Sequence, residues 1–193
     1  MLSFAFLSVF LWGSQVIAPE FETELWPEEG RPRLQAPAGL ISIREKPCSS
    51  ATLIGKVRVP PNVDLVFDET RYQTLQAGSL RALSDVTVRG RNLGPIVSIS
   101  RASYDDGQFP DAQLTCAKGT LIKYLLYRAE GTCFVKIGEN VIEADPCPDS
   151  DAAAFVSESP AKTEWWIRVR QEGKPLGWAL VDGTEVTEVG REF

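Results

Sequence analysis

Hydrophobic positions along this chain recur in short runs with the spacing of β-strands. From Gly39 onward, runs rich in Val, Ile and Leu alternate with turn residues at intervals of about 8 to 12 residues. No stretch keeps a helical apolar period over several turns. The pattern predicts an all-β protein of barrel or sandwich type, with runs at residues 40–44, 52–57, 63–67, 86–89 and 96–99. One short helix is predicted over residues 74–83, although Gly78 weakens it.

A three-stranded meander can be followed residue by residue in the second half of the chain. Strands are predicted over residues 120–127, 132–137 and 141–145, with turns at residues 128–131 and 138–140. The meander follows a loop-rich stretch, SYDDGQFP, which composition marks as the boundary between two domains.

The register of this meander predicts a disulfide. In that register Ile137 faces Val141 across the second turn. Cys133 then faces Asp145, and Cys147 lies diagonally at the same end of the sheet. Cysteines can be bridged when their Cα atoms are about 4.4–6.8 Å apart, and this arrangement meets the condition. We therefore predict a Cys133–Cys147 bridge.

The two remaining cysteines are expected to pair by elimination. Cys116 lies at the opposite end of the meander, so it would join Cys48 and tie the two halves of the chain together. An even number of cysteines is typical of a protein that folds in an oxidising compartment. Four cysteines allow three connectivities. The alternative is four buried free thiols in a cytosolic protein.

The first residues resemble a secretory leader. Residues 1–18, MLSFAFLSVFLWGSQVIA, form an uncharged apolar run that ends on a small residue, as a signal peptide does. The expected location is therefore periplasmic or secreted. No Lys or Arg precedes the run, which leaves an uncleaved membrane anchor as the alternative. Residues 19–37 hold four prolines and five glutamates, which predicts an acidic, proline-rich linker.

Composition excludes several kinds of chemistry. The formal net charge of −6 disfavours nucleic acid as a partner. The chain has no histidine, which removes Ser-His-Asp and Cys-His nucleophiles and imidazole metal ligands. We expect no enzymatic activity and no cofactor, and a carboxylate-dependent hydrolase is the enzymatic alternative.

Two charged clusters have ordinary structural explanations. Asp145, Asp149 and Asp151 share a loop, but their spacing does not match a calcium motif, so no metal is expected. A basic strip could hold an anion, although such a strip is usually a solvated strand face. Its members are Arg81, Arg89, Arg91 and Arg101.

The most distinctive pattern is a C-terminal hairpin rich in tryptophan. Along the strand at residues 164–171, alternation places Trp165, Ile167 and Val169 on the core face. The opposite face is the candidate ligand-binding surface, because a Trp beside an Arg can stack on a peptide or sugar and bind a carboxylate. Its residues are Trp166, Arg168 and Arg170, with Trp178 across the hairpin. The alternative is that all three tryptophans pack into a small core.

This hairpin resembles the signature of bacterial SH3-like (SH3b) domains. In that signature an aromatic-led strand, here residues 166–170, precedes a Gly-containing turn at residues 172–174 and a Gly-Trp strand at residues 177–179. The first half of the chain shows a weaker match. Residues 41–47 resemble the family's opening strand and its V-R-x-x-P loop, and residues 53–57 resemble its V-x-G-x-V strand.

The resemblance implies a fold and a function. Two small SH3-like barrels would lie in tandem, at residues 38–103 and 108–193, or one extended barrel would have its halves separated by a long insertion. The family binds cell-wall peptides or envelope proteins. We therefore expect an exported binding module for an envelope protein or a peptidoglycan-derived ligand, which would meet the membrane only through an uncleaved leader. The alternative is a structural or accessory subunit of an envelope assembly without a small-ligand site.

Overall fold

The computed structural model describes residues 18–193, so the predicted leader lies outside the described residues except for Ala18. Strands hold 55% of the chain and helices 5%, which confirms the all-β class. Within residues 18–193 no sheet closes into a barrel. In chain order the elements are β1 (Phe21–Thr23), β2 (Arg31–Gln35), β3 (Leu40–Arg44), β4 (Leu53–Arg58), β5 (Phe67–Gln76), β6 (Gly78–Ala82), β7 (Val86–Gly94), β8 (Ser98–Ile99), α1 (Arg101–Asp106), β9 (Asp111–Cys116), β10 (Leu121–Tyr127), β11 (Cys133–Ile137), β12 (Asn140–Ala144), a 3₁₀ turn (Pro148–Ser150), β13 (Phe155–Ser159), β14 (Lys162–Gln171), β15 (Lys174–Leu180) and β16 (Thr187–Glu192).

The first sheet combines both ends of the described chain. Its strand order is β4-β3-β15-β14-β5-β1-β8, and β2 and β16 form a separate two-stranded ribbon. The long strand β14 pairs in antiparallel fashion with β5 on one side and with β15 on the other. Strand β15 reaches β3 where Trp178 faces Arg44. The core of this sheet includes Leu34, Ile41, Ile43, Trp165, Ile167 and Val186.

The second sheet is built entirely from the middle of the chain. Its order is β13-β6-β10-β11-β12-β7-β9, and every pairing in it is antiparallel. The chain leaves the first sheet after Gln76, returns briefly as β8, which pairs in parallel with β1, and rejoins the sheet at Lys162. Gly78 marks the crossing, because a Cβ there would lie 2.6 Å from the carbonyl oxygen of Ser159. This close approach explains the glycine, and strands occupy the predicted helix at residues 74–83.

The sheet topology crosses the predicted domain boundary. Strands β7 and β9 are neighbours in one sheet, on either side of the boundary between residues 103 and 108. The first sheet joins residues up to 76 with those from 162 onward and with β8. Both SH3-like layouts stay predictions, since no sheet within residues 18–193 closes into a barrel. Alternation along a strand shows which face is apolar but does not identify the neighbouring strand, so the sequence left both layouts open.

Residues 19–37 are not a linker. They contain β1 and β2, and the side chains of Phe21, Leu25 and Leu34 are no more than 1% exposed. Glu20, Glu22 and Glu24 alternate with the buried Phe21 and Thr23 in and around β1. These three glutamates are therefore the polar positions of a folded segment, not those of an extended linker.

The meander forms where it is predicted, with its register shifted by one residue. Ile137 pairs with Asn140, and Cys133 pairs with Ala144. The shift arises because a two-residue turn joins β11 and β12, with Gly138 at a φ of 58°. The Cys133–Cys147 disulfide is nevertheless present, with Cα atoms 5.2 Å apart. The disulfide forms despite the shifted register because Cys147 lies beyond the end of β12, where the chain bends back toward Cys133.

The predicted Cys48–Cys116 bridge does not form. Both residues are free thiols. Cys116 is buried in the core of the second sheet, and this burial raises the pKa of its thiol. Cys48 lies half-exposed in the loop between β3 and β4 of the first sheet. One cysteine is therefore in the core of the second sheet and the other in a surface loop of the first sheet.

Candidate functional site

The core face of β14 is confirmed. Trp165, Ile167 and Val169 are buried in the core of the first sheet. The indole N–H of Trp165 donates to the hydroxyl of Thr70 over 2.8 Å. Thr70 lies on β5, so this bond joins the two long strands of the sheet from the inside.

The opposite face of β14 does not expose its aromatic residues. Trp166 is 1% exposed and Trp178 is 9% exposed. The indole N–H of Trp166 donates to the Glu164 carboxylate over 2.9 Å, and Ser49 from the β3–β4 loop donates to the same carboxylate. The predicted stacking role of Trp166 and Trp178 is therefore corrected, since neither ring presents a free face to a ligand. The alternative, with all three tryptophans packed, describes the structure.

Arg168 and Arg170 lie on the predicted face but are already paired. Arg168 donates two hydrogen bonds to the Asp68 carboxylate, over 2.8 and 2.9 Å, and also lies 2.7 Å from Glu69. Arg170 donates to Asp68 over 2.7 Å. The hydrogen bond from Arg168, with that from Arg170, holds the pKa of Asp68 below its ordinary value despite partial desolvation. This network leaves little free charge on the face for an incoming carboxylate.

An open apolar groove lies beside this network. The segment between β4 and β5 forms one wall, and the β14–β15 hairpin forms the other. The groove encloses about 270 Å³. Val63 and Val66 line it with 51% and 64% of their surface exposed, whereas Val59 and Leu176 also pack against the core of the first sheet. The groove therefore opens directly onto that core.

Two arginines lie at the rim of the groove. Arg170 is held by Asp68, as described above. Arg58 ends strand β4 and makes no ion pair with any residue between 18 and 193. Glu172 lines the opposite wall and likewise makes no ion pair with residues 18–193. The groove therefore offers one charge of each sign beside an apolar surface, and Arg58 can pair with an acidic group of a peptide.

Among residues 18–193, strand β4 is an edge strand of the first sheet next to this groove. Within that part of the chain it pairs with β3 alone. Leu53 and Ile54 on this strand are 48% and 54% exposed. An exposed strand edge offers unpaired backbone N–H and C=O groups, which an extended peptide can satisfy by adding as a further strand.

The sequence did not identify this groove, because its main wall was expected to be a strand. Residues 63–67 were predicted as a β-run, but only Phe67 begins a strand and the preceding residues form an irregular segment. The signal for this irregularity was the pair Pro60 and Pro61, which cannot donate to a ladder. The local sequence does not distinguish an exposed valine in a loop from a core valine in a strand.

Several members of the remaining charged clusters have local partners. In the basic strip, Arg81 pairs with Glu158 and Arg91 pairs with Glu143, whereas Arg89 and Arg101 make no ion pair among residues 18–193. The Asp151 carboxylate accepts the backbone N–H groups of Ala153 and Ala154, which makes it a turn cap.

No family model, curated protein or solved structure matches this chain. Among residues 18–193, no helix has the length and apolar character needed to cross a membrane.

Proposed function

We propose that this chain is an exported binding module of SH3-like type. Its ligand is an extended peptide segment, from an envelope protein or from cell-wall peptide, held in the groove between the β4–β5 segment and the β14–β15 hairpin. The observation that carries the proposal is the set of exposed apolar side chains at this groove, beside the free edge of the first sheet. Exposed apolar surface is costly in water unless a partner covers it.

The arrangement of the first sheet supports the SH3-like part of the proposal. The two segments that carry the resemblance form β3–β4 and β14–β15. These hairpins are adjacent, because β15 pairs with β3. One SH3-like unit would then consist of residues 19–76 and 162–193, with an insertion that forms the second sheet and returns once to the first sheet as β8.

The free edge of β4 and the charge of Arg58 support an extended peptide as the ligand. Strand addition satisfies the peptide backbone, apolar side chains fill the groove, and an acidic side chain pairs with Arg58. The Cys133–Cys147 disulfide supports export, since it is compatible with an oxidising compartment.

The test compares two exposed valines. Val66 lines the groove with 64% exposure, whereas Val97, with 66% exposure, lies before β8 and outside the groove. Binding of the full chain, V66D and V97D to purified sacculi and to envelope-protein fractions is measured by co-sedimentation and pull-down. We expect V66D to lose at least about tenfold in affinity, because a carboxylate in an apolar groove must be desolvated. V97D should bind as the parent chain does.

The same experiment can contradict the proposal and identify the ligand class. Equal binding by the parent chain and V66D would show that the groove is not the site, and absence of binding to either fraction would reject the function. Retention on sacculi indicates a cell-wall peptide, whereas one defined protein partner indicates an envelope protein. A structural or accessory role remains the second candidate, favoured by the exposed Leu53 and Ile54 on β4. A protein complex that is lost in L53K but kept in V66D would favour that role.

A further inference from the structure

A second depression, here called the arginine cleft, lies on the other side of the Arg170–Asp68 ion pair. It encloses about 420 Å³ between the start of β5, the segment after β1 and the beginning of α1. Two of its arginines rest on aromatic rings. The guanidinium carbon of Arg101 lies 3.8 Å from the ring centroid of Trp26, and that of Arg31 lies 5.0 Å from the ring centroid of Phe67. Stacking of this kind fixes the orientation of both guanidinium groups before any ligand arrives.

The carboxylates that line the arginine cleft are all neutralised by the protein. Asp68 is held by Arg168 and Arg170, as described above. Glu69 lies 2.7 Å from Arg168 and 3.7 Å from Arg71. Glu24 pairs with Arg71 over 2.7 Å, and its second oxygen accepts the backbone N–H of Arg101.

The arginines stacked on the aromatic rings, in contrast, have guanidinium N–H donors without a protein acceptor among the described residues. The hydrogen bond that Arg31 makes within residues 18–193 goes to the carbonyl oxygen of Phe67 over 3.0 Å, and neither Arg31 nor Arg101 has a carboxylate within ion-pair distance there. The Nη2 group of Arg101 is enclosed without a hydrogen-bond acceptor. Burial lowers the pKa of Arg101. The charges of Asp105 and Glu24 oppose this shift, whereas the positive charge of Arg128 acts in the same direction as burial.

This imbalance between satisfied acids and unsatisfied arginines has a chemical consequence. Each carboxylate in the cleft has an arginine partner, whereas Arg31 and Arg101 have no carboxylate partner among residues 18–193. An incoming cation would find no free carboxylate, but an incoming oxyanion would find two oriented guanidinium groups. We propose that the arginine cleft binds an oxyanion, a carboxylate or a phosphate, between Arg31 and Arg101. This site is distinct from the apolar groove and does not depend on the function proposed for it.

The experiment titrates the full chain with succinate and, separately, with inorganic phosphate at constant ionic strength. The readout is the ¹H–¹⁵N resonance of the Trp26 indole, assigned by its absence in W26F. We expect a saturable shift with at least one of the two anions. The variants R31Q and R101Q should each weaken that anion at least tenfold. The matched control is R33Q, because Arg33 lies on the same strand as Arg31 but pairs with Asp64 outside the cleft.

The titrations distinguish a carboxylate ligand from a phosphate ligand and can also reject the site. Saturation by succinate alone assigns a carboxylate ligand, and saturation by phosphate alone assigns a phosphate. Saturation by both leaves the oxyanion assignment intact. A shift that never saturates, or one that R31Q and R101Q leave unchanged, overturns the proposal. Arg31 is exposed, so R31Q keeps the test decisive if R101Q fails to fold. V66D should titrate as the parent chain does, which keeps this result independent of the groove.

Discussion

The two large sheets of this protein differ in how they are cross-linked. The second sheet is stapled by the Cys133–Cys147 disulfide and contains Glu143, a nearly buried carboxylate held by Arg91 and Tyr104. The first sheet contains no disulfide among the described residues. Both sheets expose some apolar side chains, such as Leu53 on the first and Leu121 on the second, but the apolar groove lies beside the first sheet. The comparison therefore separates a cross-linked sheet from the sheet that carries the groove.

The sheets also differ in how far apart in sequence their partners lie. The second sheet forms entirely within residues 78–159, whereas the first depends on contacts such as that between Trp165 and Thr70, which are 95 residues apart. Closing so long a segment costs chain entropy, and a folded insertion reduces that cost by bringing its own ends together. The second sheet therefore helps the first to form.

The largest expected effect comes from removing the most buried indole of the first sheet. Trp166→Ala should lower the free energy of unfolding by about 3–5 kcal/mol, because it creates a cavity the size of an indole. Urea unfolding followed by far-UV circular dichroism measures the change. V66D changes an exposed residue just before β5, and its free energy of unfolding should lie within about 0.5 kcal/mol of that of the parent chain. A loss below about 1 kcal/mol for Trp166→Ala would show that its ring is not packed as described.

A somewhat smaller loss of stability is expected from removing the disulfide of the second sheet. Replacing both Cys133 and Cys147 by serine should cost about 3 kcal/mol, since the bridge closes a loop of 14 residues. Thermal and urea unfolding with and without dithiothreitol provide the measurement. Reductant should destabilise the parent chain but leave the double variant unaffected. Cys48→Ser is the matched control, and a loss of stability there as large as in the double variant would contradict the free thiol at that position.

The smallest effect concerns the ion pairs on the outer face of β14. Asp68 has a pKa held below its ordinary value by Arg168 and then Arg170, so its contribution is present above the unfolded pKa of about 3.9. That contribution is lost as pH falls through the lower folded pKa. Asp68→Asn should cost about 1 kcal/mol at neutral pH, and the difference from the parent chain should vanish in strong acid.

Urea midpoints measured across the acid range test this pH dependence. Asp106→Asn is the control, because Asp106 ends the exposed helix α1 and makes no ion pair with residues 18–193. A difference between Asp68→Asn and the parent chain that grows in acid would contradict the assigned direction of the pKa shift.

Part of the fold and of the site could be predicted from the sequence. The all-β class, the three strands of the meander and the core face of β14 follow from alternation with a period of two residues. The Cys133–Cys147 bridge is also confirmed, although the register from which it is inferred is shifted by one residue. The groove, the burial of Trp166 and the separation of Cys48 from Cys116 did not follow. Each of these features depends on which segments pack against each other. The sequence pattern around a residue is the same whether or not a distant segment covers it.

Local chemistry along the chain determined where strands form, which faces are apolar and which catalytic devices are excluded by the lack of histidine. Tertiary structure alone decided that residues on either side of a long insertion share one sheet, and that a tryptophan beside two arginines is covered by a loop. The physical reason is that alternation is a property of neighbouring residues, whereas strand partners and solvent exposure arise from contacts between segments far apart in sequence.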